Sequence, residues 1–217
     1  MEEEKHRCFI CFKKEDSLSI DYKQNIIDKL TEERTVVRAL DDWIDSNDID
    51  YVINEIRNKY MSHTSVTLYL IGPHSSENEG IDDKGYNEQN FIIRELRATL
   101  FDGDDNNRSG LLGIVLPEMM SKIYGGIGIC DKCGASVNIV NINDSTVIRE
   151  FSENYWLQNC SCGGDHYLEK GRFCTLVPYS IFMLDPDKYI NEAFAKTQDS
   201  IADFVHWRDI KHKGKVR

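Results

Sequence analysis

Along the first half of the chain, short apolar runs alternate with longer stretches in which apolar residues recur every three or four positions. Arg7-Cys8-Phe9-Ile10-Cys11-Phe12 predicts a buried strand. Asp21 to Leu30 follows with Tyr22, Ile26, Ile27 and Leu30 on one stripe, the spacing of an amphipathic helix. The β-branched run Thr35-Val36-Val37 predicts a second strand. Asp48 to Tyr60 predicts the next helix, with Val52, Ile53, Ile56 and Tyr60 facing inward. Ser65 to Ile71 is the clearest strand and is closed by Gly72. Asn90 to Leu100 reads as a third helix, and Leu111 to Leu116 as a fourth strand ended by Pro117.

Strands that alternate with helices of this length imply an α/β fold. The expected form is a doubly wound, flavodoxin-like parallel sheet with right-handed crossovers. In such a sheet ligands sit beyond the carboxyl ends of the strands. The segments placed there are Lys13 to Asp16, Ala39 to Ser46 and Gly72 to Gln89. The rhythm breaks after Pro117. Met119 to Cys174 reads as a Cys-rich, mainly β insertion. Thr175 to Leu184 returns a last strand to the sheet, and Pro186 to Trp207 forms a closing helix buried through Ala193, Ile201, Phe204 and Val205. The expected organisation is an α/β domain over 1–118, the insertion over 119–174, and a C-terminal strand and helix over 175–217 packing back on the first.

A net charge of −11 argues against binding to phosphate backbones, so no nucleic-acid partner is expected. The basic tail Lys211, Lys213, Lys215 and Arg217 reads as a solvated end. No run approaches the ~18 apolar residues of a membrane span. The acidic start Met1-Glu2-Glu3-Glu4 is unlike a signal peptide. Both features lead to the expectation of a cytoplasmic protein away from membranes.

Seven cysteines, an odd number, favour free thiols or a metal site over a disulfide framework. Cys130-x-x-Cys133 is followed by Gly134, and Cys160-x-Cys162 by Gly163-Gly164, which suits two tight knuckle turns. Four thiolates on two knuckles make a tetrahedral, structural zinc site. The second spacing is tighter than in a zinc ribbon, so His166 or Cys174 is an alternative for one ligand, and four reduced thiols are the competing reading. Cys8 and Cys11 lie three apart on one strand, face opposite sides, and read as buried thiols.

Several of these segments together resemble the TIR-like family. Phe9-Ile10-Cys11-Phe12 followed by Lys13-Lys14-Glu15-Asp16 is similar to the first strand and loop of TIR-like domains. Asp41-Asp42-Trp43, and Thr64 through Gly72, resemble the corresponding loop and third strand of the TIR-like sensor subunit of the Thoeris antiphage system. Ile93-Arg94-Glu95-Leu96 is similar to the helix that carries the TIR catalytic glutamate. The resemblance runs over roughly Arg7 to Pro117. It departs from the family at Asn90 to Arg94, where many TIR domains carry a Ser and a Trp-Cys pair.

The resemblance implies cleavage of NAD between nicotinamide and ribose, with Glu95 catalytic and Phe9, Phe12, Lys13, Asp41 and Trp43 as substrate-binding candidates. It further implies an ADP-ribose-derived signalling nucleotide, a phage-derived trigger, a downstream nucleotide-sensing effector and a homo-oligomer. From the helical pattern alone, Glu95 lies at the edge of the Ile92, Leu96, Leu100 stripe with Phe91 and Thr99, a rim position. A non-catalytic nucleotide-binding or protein-interaction module, with the Cys-rich segment as docking surface, is the alternative reading.

Overall fold

The computed structural model describes residues 6–13, 17–32, 36–39, 49–61, 63–81, 89–103, 107–164 and 166–207. Asp41, Trp43, most of the loops after the first two strands, and the basic tail lie outside the described residues.

The architecture is a five-stranded, wholly parallel sheet flanked by helices on both faces. Its strands are β1 (Arg7–Cys11), β2 (Val36–Ala39), β3 (Val66–Ile71), β4 (Gly110–Val115) and, late in the chain, β7 (Thr175–Pro178). The spatial order is β2-β1-β3-β4-β7, the flavodoxin-like order in which the winding reverses between β1 and β3. Cys11 pairs with Tyr69 at the carboxyl end of that switch point.

Side-chain alternation divides the core in two. Cys8, Ile10, Leu68, Leu70, Leu112, Ile114 and Val177 point to one face and meet Ile26 and Leu30 of α1 (Ser17–Glu32) and Ile190 and Ala193 of α7 (Pro186–Ala195). Phe9, Cys11, Tyr69, Ile71, Leu111 and Val115 point to the other. There they meet Val52 of α2 (Ile49–Glu55), Ile56 of the π turn that continues it, and Ile92, Leu96 and Leu100 of α3 (Asn90–Leu100). The expected opposition of Cys8 and Cys11 is met, and burial raises both thiol pKa values, that of Cys8 to about 12.

The segment after Pro117 is less β-like than its composition predicts. A short helix α4 (Met120–Ile123) leads into a hairpin of β5 (Tyr124–Ile129) and β6 (Ser136–Val140), followed by helix α5 (Arg149–Tyr155). β4 and β7 are parallel neighbours, so the chain between them has to cross over. α5 is the helix of that crossover. Its Phe151 enters the same core as Tyr69, the two ring centroids lying 5.6 Å apart. A methyl group at Gly113 would lie 2.5 Å from the Phe151 ring, so this bare backbone position lets the helix sit close to β4. Ile142, Val147, Ile148, Tyr155, Phe173 and Cys174 complete the same cluster. Arg97 on α3 donates to Glu150 on α5 at 2.7 Å, both side chains largely buried.

Three expectations at the C-terminus are corrected. The last strand ends at Pro178, because Tyr179–Phe182 turns into the short helix α6. The closing helix stops at Ala195 and is followed by a 3-10 segment, Ser200–Phe204. Ile201 is buried as expected, but Phe204 is 51% exposed, since the change of helix type rotates it out of the stripe. Asn154 fastens this end. Its side chain donates to the His206 carbonyl (3.0 Å) and accepts from the His206 N–H (2.8 Å). No helix among the described residues is long and apolar enough to cross a membrane.

The Arg97–Glu150 pair yields a stability prediction. Glu150→Ala strands a buried guanidinium and is expected to cost roughly 3–5 kcal/mol in chemical denaturation, whereas apolar replacement of both partners together costs far less. Equal losses in the single and double variants would remove the pair from this role.

Candidate functional site

Two constellations concentrate chemistry. The first lies where β1 and β3 end. Lys13, two residues past β1, is buried. After β3 the chain turns sharply at Gly72, whose N–H donates to the Ser75 hydroxyl (2.9 Å), while the Tyr69 hydroxyl donates to the Ser75 carbonyl (3.2 Å). Gln89, just before α3, donates to the carbonyls of His74 (2.7 Å) and Ser76 (2.6 Å). The same loop reaches α5, because the Arg149 N–H donates to the Glu77 carboxylate at 3.0 Å, the favourable position for an anion at a helix start. Burial, the largest influence, nevertheless raises the Glu77 pKa above the ordinary carboxylate value.

Glu95 projects from α3 inward and is 5% exposed. The Cys11 thiol donates to its carboxylate; burial first, then the charge and hydrogen bond of Glu95, hold that thiol well above its usual pKa, so it stays protonated. One turn further on, the Thr99 hydroxyl lies 3.0 Å from the Glu95 carbonyl and 2.8 Å from the Thr67 hydroxyl on β3. Glu95 is therefore deeper than the rim position its helical pattern predicts. The apolar stripe marks only the part of α3 that packs on the strands, whereas the Glu95 carboxylate reaches Cys11 at the end of β1.

Phe9 is wholly buried in the α3-side core. Phe12 is half-buried on the opposite side, with the Lys23 ammonium 4.8 Å from its ring centre. Asp41 and Trp43 are outside the described residues.

The second constellation is the cysteine cluster. The ligand atoms of Cys130, Cys133, Cys162 and His166 all lie within 4.8 Å of one another. The Cys130 and Cys162 sulfurs are 3.9 Å apart, and His166 places Nδ1 3.9 Å from the Cys162 sulfur and Nε2 4.0 Å from that of Cys133. Metal–sulfur bonds of about 2.3 Å at tetrahedral angles require sulfurs about 3.8 Å apart. The set can thus hold a metal ion such as zinc with little rearrangement.

Backbone turns build the cradle. Gly134 adopts φ +70° and donates to the Cys130 carbonyl (2.9 Å). The N–H groups of Cys133 and Lys132 point at the Cys130 sulfur and lower its pKa. Gly163 takes φ +75°, which lets the Gly164 N–H reach the Cys162 sulfur at 3.2 Å. That bond lowers the Cys162 pKa, but desolvation and the neighbouring thiols outweigh it and push the value up to about 12. Three clustered thiols cannot all ionise without a cation between them. A methyl group at Gly164 would sit 2.5 Å from the Cys130 sulfur, so the centre needs glycine there.

The fourth place in this set belongs to His166, not to Cys160. Cys160 is beside Cys162 but outside the quartet, and its N–H donates to the His166 carbonyl (2.9 Å), which closes the loop that carries the imidazole. Cys174, the other alternative, is buried in the core beneath α5. Gln89, Glu77 and the Arg97–Glu150 pair carry no local sequence signal; they act only through partners distant in the chain.

No family model and no curated protein matches this chain.

Metal content separates the two ligand sets. Wild type is expected to bind one zinc equivalent, and Cys133→Ser and His166→Ala to lose it or bind at least ~10-fold more weakly, while Cys160→Ser keeps it. Elemental analysis with a competing chelator checks this; loss of zinc in Cys160→Ser with retention in His166→Ala would restore the four-thiol set. Gly164→Ala is expected to weaken binding by a similar factor through its clash with Cys130.

Proposed function

We propose that this chain is a TIR-like enzyme that cleaves NAD between nicotinamide and ribose, with Glu95 as the carboxylate that stabilises the cationic sugar. Breaking this bond develops positive charge on the ribose carbon, and an aligned carboxylate lowers the energy of that state. Nicotinamide leaves as a neutral molecule, so no second carboxyl is needed to protonate it. The observation that carries the reading is the inward carboxylate of Glu95, fixed by Cys11 where β1 ends at the switch point. Water as acceptor gives ADP-ribose; an internal hydroxyl gives a cyclic isomer.

In this reading the product is a signalling nucleotide made in the cytoplasm after a phage-derived trigger, and it acts on a nucleotide-sensing effector. The thiol–imidazole cluster holds zinc in a structural role, since four protein ligands leave no open position for water. A second reading has a specific observation in its favour. Glu95 is enclosed and bonded to Cys11, as a structural carboxylate at a helix–strand contact would be, and the fold then serves as a non-catalytic binding module.

The test is nicotinamide release from NAD by purified protein, alone and with lysate of phage-infected cells. Turnover by wild type and a loss of about 10²–10³-fold in Glu95→Gln is the expected result. Equal turnover in both proteins would remove Glu95 from its role; no turnover under either condition would favour the binding module.

A further inference from the structure

β5 and β6 form a ribbon fastened at both ends and open between them. At its base Tyr124 and Val140 pack against the core, and the Asn141 N–H donates to the Ile123 carbonyl (2.8 Å). At its tip stands the Cys130–Cys133 knuckle. Among the described residues neither strand has a further sheet neighbour. Ile127 and Ile129 are 73% and 78% exposed on one face, and Ile139 is 46% exposed on the other. Neither strand carries a charged residue, in a chain where 29% of residues are charged.

Open strand edges are normally blunted by lysine, proline or a bulge. β5 is blunted in this way: its register slips between Tyr124 and Gly126, and three of its six residues are glycine. β6, Ser136-Val137-Asn138-Ile139-Val140, has no bulge, proline or charge. Its edge is a regular backbone template.

We propose that β6 pairs antiparallel with β6 of a second copy of this chain, joining two ribbons into a four-stranded sheet across a two-fold axis. A register centred on Asn138 sets Asn138 against the partner's Asn138 and Val137 against the partner's Ile139, a β-branched cross-strand pair. The pairing uses up both regular edges and leaves only the bulged β5 strands at the rims, so assembly stops at two. A two-fold contact brings like surfaces together, and in a chain of net charge −11 this uncharged ribbon does so without repulsion. An added foreign strand would be read through side-chain pockets, whereas these isoleucines project outward. The pairing edge, β6, has five residues on each side, well short of the 20–30 per side of a standard interface, which implies a weak dimer with a Kd of roughly tens of micromolar. The NAD reading is independent of this contact.

Sedimentation velocity of the full chain from about 1 to 200 µM tests it. Wild type is expected to shift from monomer to dimer, and Asn138→Lys to raise the dissociation constant at least ~10-fold with zinc content and circular dichroism unchanged. Ser136→Lys at the end of the same edge replaces it if that variant fails to fold. A wild type monomeric throughout, unaltered dimerisation in the lysine variant, or open-ended growth would each overturn the proposal.

Discussion

α3 packs on the sheet between α2 and α5, and the chemistry near the switch point depends on that placement. Leu96 and Ile92 face the strands, Thr99 meets Thr67, and Arg97 reaches outward to Glu150. These contacts leave α3 little freedom to rotate, so the direction of Glu95 is set by packing rather than by solvent. Burying an ion pair costs desolvation free energy that its attraction roughly offsets. The contribution of Arg97 and Glu150 is therefore chiefly to orientation: α5 docks on α3 in one position.

The same constraint explains why the Cys-rich segment is not an appendage. It is the β4-to-β7 crossover, enlarged by a hairpin and a cluster of metal-binding type. Phe151, Ile148 and Tyr155 lie in one core with Tyr69 and Phe9. Asn154 receives the N–H groups of Phe173 and Cys174 on its carbonyl and the backbone of His206 on its side chain, which aims β7 back at the sheet. The knuckles lie at the far side of this crossover, remote in sequence from α3 yet joined to it through α5.

Most of the parallel sheet was legible in the sequence, because strands buried on both faces give continuous apolar runs and their helices give clean stripes. Ser65–Ile71 and Asn90–Leu100 match the observed elements to within a residue. Legibility failed where long-range packing decides. Arg149–Tyr155 is too short and too polar to announce a helix, yet it supplies Phe151 to the core. Phe204 fits a continuing α-helical stripe, but the helix has already ended at Ala195. The cysteine pairs were visible from their spacing and glycines. The choice of His166 over Cys160 was not, since it rests on a backbone hydrogen bond that closes the loop. The depth of Glu95 was hidden as well, since its carboxylate is met by Cys11, on a strand far earlier in the chain.

Crossover and sheet share one cooperative core that fixes α3. Native-state amide hydrogen exchange tests it directly. The buried amides of α3, α5 and β3 are expected to exchange with one common opening free energy, equal to that of global unfolding. If the amides of α5 open much more readily while β3 stays protected, the crossover is a separate unit and does not fix α3.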